Sequence, residues 1–322
     1  MNKDPFISII IPAYNPGDNL YKLLKSLKKS KFKDFEVIVC DDGSSEKINV
    51  DRSVCMIRIN KNMGPARARN LASKKANGKI LVFFDSDVEV YPDTLGTIEK
   101  NFIGNKKLIA LTGVWDKHQK TNKFFNQFKA LRDWSYWINE RTDNGYYYLF
   151  STRVAAIRKN IFDKLGGFNE SFRQMEDVEF TYRLAKQNRI IFCPEVRVHH
   201  EFDNFPVIAK KYFLRSFYWI KLYVKRWKFD PVATTRHEAY AVTTAVLTFI
   251  FIISSIFYVK LVILGFSFFL LHLYSVRKFL FFVFAERGFC FTIKSALAGF
   301  VLYLIIYIGA FFGIISLSFK RD

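Results

Sequence analysis

The stretch Ile80-Leu81-Val82-Phe83-Phe84-Asp85-Ser86-Asp87 decides the fold. Five consecutive apolar residues read as a buried strand, and that strand runs straight into two carboxylates. Asp is seldom buried without a partner, and two of them two residues apart repel each other. A divalent cation with a phosphate on its far side relieves both problems. Hard oxygen ligands of this kind suit Mg²⁺ or Mn²⁺ held between protein and a nucleotide diphosphate. An Asp-x-Asp alone is a weak signal, so its neighbours in the sequence carry the rest.

Working outward, residues 1–204 alternate short apolar runs with amphipathic stretches, the pattern of an α/β domain with a mainly parallel sheet. Strands are expected at 6–11, 35–40, 54–59 and 80–84. Leu20, Leu23, Leu24 and Leu27 recur at helical spacing, with Asp18 or Asn19 placed to cap, and a second helix is expected over 65–76. This order gives a Rossmann-like half-domain whose strand ends meet at one crevice. Strand one exits through Pro12-Ala13-Tyr14-Asn15. Strand two exits through Asp41-Asp42-Gly43-Ser44, where a carboxylate can accept an imide N–H or a ribose hydroxyl and Gly43 permits the turn. Gly64-Pro65 opens a helix whose Arg67 and Arg69 can face a base or a phosphate. Each element alone reads equally well as turn chemistry or a solvated helix face.

Taken in order, these pieces resemble the family-two glycosyltransferases of GT-A fold: a Pro-x-Tyr-Asn strand end, an Asp-Asp-Gly-Ser turn, a Gly…Ala-Arg-Asn helix and an Asp-x-Asp. Gly166-Gly167-Phe168-Asn169-Glu170 resembles the family's Gly-Gly-Phe-Asp-Glu, and Glu176-Asp177 and Arg183 follow it. The resemblance covers residues 6–204. It implies a nucleotide-sugar site at Pro12, Tyr14, Asn15, Asp41, Asp42, Arg67, Arg69, Asp85 and Ser86, with Mn²⁺ or Mg²⁺ on Asp85 and Asp87. It also implies that Asp177, beside Glu176, is the base that deprotonates the acceptor in an inverting transfer. Two alternatives stay open here, that Asp177 caps a helix at 178–185 and that Arg183 makes only an i,i+4 salt bridge with Glu179. The family often brings a His to the metal or diphosphate. Of His199 and His200, strand alternation gives His200 the parity of Val196 and Val198, while a buried, satisfied His is the plain alternative.

The 322 residues carry a formal charge of +20, yet half are hydrophobic and 18% aromatic. That combination fits an anionic membrane surface better than nucleic acid. Four cysteines without CxxC spacing read as free thiols in a reducing compartment. The first residues lack the pattern of a signal peptide, so the first domain is expected in the cytoplasm. Residues 205–230 interleave Lys210, Lys211, Arg215, Lys221, Lys225, Arg226 and Lys228 with aromatic rings and read as a helix in the membrane interface, RNA binding being the rival. Residues 231–322 contain uncharged or nearly uncharged runs at about 240–259, 261–276 and 296–319, read as three spans of a multi-pass cell-membrane protein. A second interfacial element is expected at 277–284, and the positive-inside rule puts Arg277, Lys278, Arg287 and Lys294 on the cytoplasmic side. The aromatic stretch 124–148, with Trp134, Tyr136, Trp137, Tyr146, Tyr147 and Tyr148, lines an acceptor groove, dips into the membrane or packs a core.

The acceptor this arrangement suggests is a lipid or lipid-linked glycan in envelope polysaccharide or glycolipid assembly. Two rivals remain. A processive synthase is disfavoured because Tyr223-Val224-Lys225-Arg226-Trp227 has Tyr where processive relatives carry Gln. An inactive nucleotide-sugar-binding scaffold is disfavoured because Asp42, Asp85, Asp87 and Asp177 are all present.

Overall fold

Strand β1 (Ile7–Ala13) is the hub of the first half of the sheet. It pairs in parallel with β2 (Phe35–Asp41) on one side and β4 (Ile80–Phe84) on the other, and β3 (Val54–Arg58) adds to β2 in the same sense. The computed structural model describes residues 4–140, 148–229 and 235–318. Two compact units divide the chain: Met1–Thr121 with Asp143–Glu201, and Asn122–Thr142 with Phe202–Asp322.

In the first unit the remaining strands are β5 (Val88–Val90), β6 (Ala110–Trp115), β7 (Val154–Arg158) and β8 (Ile190–His200), in the order β3-β2-β1-β4-β7-β6-β8-β5, and helices α5 (Lys159–Lys164) and α6 (Glu176–Leu184) lie between β7 and β8 in the chain. β7 runs antiparallel to β4 and β6, and β5 runs antiparallel to β8. The sheet is therefore a mixed GT-A-like α/β sheet, less parallel than expected. Strand direction has no hydrophobic signature: an apolar run such as Val154–Ile157 buries equally well either way round.

Alternation along β4 divides the core. Ile80, Val82 and Phe84 face α1 (Asp18–Lys28) and α3 (Thr94–Gly104), while Leu81 and Phe83 face α2 (Pro65–Lys75). On this second face Phe83 meets Phe150, Phe162 and Phe168 at ring distances of 5.8, 5.3 and 5.4 Å. Burial of each ring contributes on the order of 1.5–3 kcal/mol. That cluster anchors the 166–170 turn through Phe168. Helix α1 differs from expectation at its start. Neither Asp18 nor Asn19 caps it; Gly17 precedes the first turn at φ 53° and Asp18 lies within it, where a carboxylate still favours the helix N-terminus.

The second unit is helical: α4 (Phe124–Ser135), a π-helical turn (Tyr136–Glu140), α7 (Phe205–Arg226), α8 (Arg236–Ser254), α9 (Leu261–Ser275) and α10 (Arg277–Ser318). Asn204 caps α7 and a Thr235–Glu238 capping box starts α8. α8 and α9 pack together, with Phe251 stacked on Phe268 at 5.5 Å and the His272 ring 3.0 Å from the Ala241 carbonyl. α10 is broken at Gly288, which separates the 277–287 segment from the apolar remainder. α7 lies along α10 where an added methyl at Gly309 or Gly313 would strike the Phe213 or Phe217 carbonyl.

Among the described residues two helices, Arg236–Ser254 and Arg277–Leu317, are long and apolar enough to cross a membrane, where three were expected. α9 falls short. At roughly 1.5 Å per residue its 15 residues rise about 22 Å against the roughly 30 Å of a hydrocarbon layer. Of the aromatic stretch, Trp137 is buried in the second unit, Tyr148 stacks on Phe192 in the first, and Tyr146 and Tyr147 lie outside the described residues.

Candidate active site

The ends of β1 and β2 are stitched together before any ligand is considered. Asp42 donates its N–H to the Ala13 carbonyl (2.8 Å), and the Asn15 N–H donates to Ser44 Oγ (2.8 Å). Asn15 Oδ1 in turn accepts the Ser45 N–H at 2.9 Å. Pro12 lies in register with Cys40, and Tyr14 beyond it is exposed at 52%. Gly43 sits at φ 76°, and a Cβ there would come within 2.5 Å of the Lys61 backbone, so the turn admits no side chain.

Asp41 and Asp42, expected on the nucleotide, are both buried and hold the protein itself. Asp41 accepts the Ser44 N–H (2.9 Å) and pairs with Arg58 (3.3 Å), a residue outside the sequence motifs. Asp42 accepts the Met63 and Gly64 N–H groups, both at 2.8 Å, and so fixes the entry to α2. Between the strands, burial pushes the Cys40 thiol up to about 12, with Asp42 and Asp41 adding to it, which leaves it an inert core group.

α2 then presents three polar residues with three different tasks. Arg67 is half-exposed and pairs with Glu170 at 3.1 Å. Asn70 clamps the 166–170 turn: its Nδ2 donates to the Phe168 carbonyl (2.8 Å) and to Glu170 (3.1 Å), and its Oδ1 accepts the Phe168 N–H (2.9 Å). The only sequence signal for Asn70 was its place in the Ala-Arg-Asn run. Asn70→Ala should lower stability by about 1–3 kcal/mol, the cost of stranding buried backbone groups, read as a fall in the unfolding midpoint.

Arg69 is the centre of the site. It is 4% exposed, and its two terminal nitrogens donate to Asp85 Oδ1 and Glu176 Oε1, each at 2.7 Å. One guanidinium thus joins the Asp-x-Asp to the Glu-Asp pair. Burial works against its charge, but Asp85, Glu176 and Asp177 outweigh that and hold it firmly protonated. Burial also raises the Asp85 carboxyl, with Asp87 and Glu176 adding to the rise, while Arg69 opposes it. Relief of the paired carboxylates was assigned to a metal; for Asp85 the protein supplies a cation of its own.

Asp87 is relieved differently. Its Oδ2 lies 3.2 Å from His200 Nε2. Ser86 sits between the two aspartates, partly exposed. Register places His200 opposite Val88 on β5, so the strand that follows the Asp-x-Asp delivers it to the imidazole. His199 is a correction: it pairs with Glu89, and its Nε2 lies 2.8 Å from Glu201 Oε1. Adjacent strand residues point to opposite faces, so only one of the pair meets the aspartates.

Helix α6 (Glu176–Leu184) starts behind Met175 at φ 67°, with Glu176 and Asp177 both in its first turn. Asp177 therefore stands inside the helix and does not cap it. It is partly exposed, and its Oδ1 accepts the Val178 N–H at 2.8 Å. Arg183 makes a two-pronged pair with Glu179 (2.7 and 2.8 Å) and donates to the Leu165 and Gly167 carbonyls, both at 2.7 Å. It braces the glycine turn.

Among the described residues no group of three or more His, Cys, Asp or Glu side chains is arranged to hold a metal ion by itself. The donor set nonetheless fits one. Asp87 and His200 converge, and Asp85 keeps one oxygen clear of the Arg69 contacts. A Mn²⁺ or Mg²⁺ ion commonly takes one or two such ligands and completes its shell with substrate phosphates and water.

A family model described as glycosyl transferase family 2 matches residues 8–166. Over that stretch the chain carries a glycosyl transferase family 2 domain. The match takes in the turn at Asp41–Ser44, Arg69 and the Asp-x-Asp, while Glu176, Asp177 and His200 lie beyond it. An uncharacterized glycosyltransferase of Haemophilus influenzae is 30% identical over 194 residues, 56% of this chain and 62% of the relative. The Escherichia coli UDP-Glc:alpha-D-GlcNAc-diphosphoundecaprenol beta-1,3-glucosyltransferase WfaP is 41% identical over 88 residues, 25% of this chain and 35% of WfaP. The chain thus spans less than two thirds of either relative. Among solved structures, the mannosyltransferase PcManGT of Pyrobaculum calidifontis, in complex with GDP-Man and Mn²⁺, superposes with a TM-score of 0.57. The overlap covers 97% of this chain and 88% of PcManGT at 16% identity, a likeness of fold.

Proposed function

We propose that the chain is a membrane-anchored, metal-dependent inverting glycosyltransferase that moves a sugar from a UDP-sugar to a lipid-linked glycan. The observation that carries this reading is the Arg69 bridge, which brings the Asp-x-Asp and the Glu-Asp pair within one guanidinium's span. A donor site and an acceptor base have to be that close for one substrate atom to meet both.

The donor diphosphate binds at Asp85, Asp87 and His200, where a divalent ion, when bound, would neutralise charge building on the leaving group. Asp177 takes the proton of the acceptor hydroxyl. The acceptor oxygen then bonds the anomeric carbon from the opposite face as the bond to the diphosphate breaks, and UDP leaves with the electron pair. Glu176 is held by Arg69 and keeps its neighbour oriented. A UDP donor and a diphospholipid acceptor are supported by the name of WfaP, the more identical of the two relatives. Membrane attachment is supported by the apolar α8 and α10 and by the basic, aromatic α7, with the catalytic unit on the cytoplasmic side. In this reading the short α9 completes a third membrane segment as the return arm of a hairpin with α8.

The test is UDP release by the detergent-purified full chain with a panel of UDP-sugars, Mn²⁺ and undecaprenyl-diphosphate-linked GlcNAc. Release should need both metal and lipid acceptor and be removed by chelation. A panel that yields no release with any donor, from protein that still binds UDP, would refute the transferase reading and leave a nucleotide-binding scaffold.

A further inference from the structure

Trp115 ends β6, a strand with no part in the motifs above, yet its ring stacks on His200 at a centroid distance of 4.6 Å and an interplanar angle of 21°. The Arg153 guanidinium carbon stands over the same indole, also at 4.6 Å. Just below, the Gln119 amide donates to the His200 carbonyl at 2.7 Å. The imidazole is thus laid against a flat face while its backbone is tied, and Nε2 is left on Asp87 at 3.2 Å.

The local backbone explains how an edge-ward Trp reaches that place. β6 and β8 pair in register from Ala110↔Ile190 to Thr112↔Phe192, then resume at Val114↔Arg197 and Trp115↔Val198. The slip lies in β8, which sets Cys193, Pro194, Glu195 and Val196 against the single Gly113 of β6. A Cβ on Gly113 would run into the Val196 carbonyl and come within 2.9 Å of its Cγ1, so only glycine allows the approach. Bulges re-aim side chains, and this one sets the register in which Trp115 pairs with Val198 and His200, two residues on and on the same face, comes against the indole.

We infer that Trp115 is a positioning residue that fixes the His200 ring toward Asp87 and thereby sets how tightly the Asp-x-Asp end of the cleft holds a divalent ion. This rests on the transferase reading for the identity of the ion, but its logic is local. An unclamped imidazole has rotamers that turn Nε2 away, and each one populated weakens the pair it makes with Asp87. Outer-shell partners that orient metal-binding imidazoles typically change metal affinity about 10–100-fold when removed.

The test is Mn²⁺ titration of the detergent-purified full chain in the presence of UDP, followed by loss of the free-ion electron paramagnetic resonance signal. Trp115→Leu keeps apolar bulk without a flat face and should weaken Mn²⁺ binding at least tenfold; Trp115→Phe should stay within about threefold of the parent. In a His200→Ala background the same Trp115→Leu change should cost nothing more, because its effect runs through the ring. Additive losses in that cycle, or unchanged Mn²⁺ affinity in Trp115→Leu while Asp87→Ala loses it, would overturn the positioning role. Should Trp115→Leu fail to fold, Trp115→Met, which also lacks a flat face, gives the same cycle in both backgrounds, and additivity there overturns it equally. Parent protein that binds no Mn²⁺ overturns this proposal and the metal-dependent reading together, whereas the Trp115 outcomes touch only the first.

Discussion

Arg69→Met should destabilise the first unit by about 3–5 kcal/mol, the usual penalty for removing one partner of a buried ion pair. The substitution keeps length and apolar volume, so the loss is electrostatic. Asp85 and Glu176 would each lose a 2.7 Å donor. Arg69→Lys should recover only part of the loss. A single ammonium cannot present two separated donors in the fork that the guanidinium supplies. Adding Glu176→Gln to Arg69→Met should restore some stability, because one stranded charge is removed. The measurement is urea or thermal unfolding of the purified chain, and a midpoint for Arg69→Met equal to the parent would show that the bridge does not hold the site together. Nucleotide binding should fall in the same variant, since the bridge sets the position of Asp85.

That bridge also marks where the sequence stops being legible. The first four strands and helices α1 and α2 were readable because hydrophobic period and turn residues are local signals. Asp85-Ser86-Asp87 was found because two carboxylates after Phe83-Phe84 make an electrostatic problem visible in one line of text. Its solution was not visible. Arg69 is 16 residues from Asp85 and 107 from Glu176, and a local pattern cannot say that one side chain answers both. The expectation of a nucleotide contact followed from its charge; the structure adds two buried carboxylate partners. The structural bonds of Asp42 were hidden for the same reason, since its amide partners Met63 and Gly64 leave no trace in the composition around it. His200 could be preferred over His199 because strand parity is a sequence property, and it is His200 that pairs with Val88 and lies against Asp87. Trp115 was hidden by the bulge in β8 opposite Gly113, an irregularity that breaks the very alternation used to read strands. In the second unit, apolar length was readable, but the 15-residue α9 and the break at Gly288 come from helix packing and backbone conformation.

Asp177→Asn is expected to lower kcat by about 10²–10⁴, the contribution of a positioned general base, while donor KM changes little. The substitution is nearly silent for the fold. The Asp177 oxygen that accepts the Val178 N–H at 2.8 Å has an equivalent in the amide, so that helix-start contact survives. What the amide lacks is a basic lone pair able to keep a proton. Glu176→Gln is the informative contrast, because it changes the adjacent residue in the same turn. There the lost charge faces Arg69, so the unfolding midpoint should drop and turnover should suffer only as far as the loop moves. Two neighbouring carboxylates would then separate into one that works through stability and one that works through kcat. Steady-state kinetics and unfolding on both variants decide it. Full turnover by Asp177→Asn, with the midpoint of Glu176→Gln unchanged and its kcat collapsed, would move the base to Glu176 and undo the assignment.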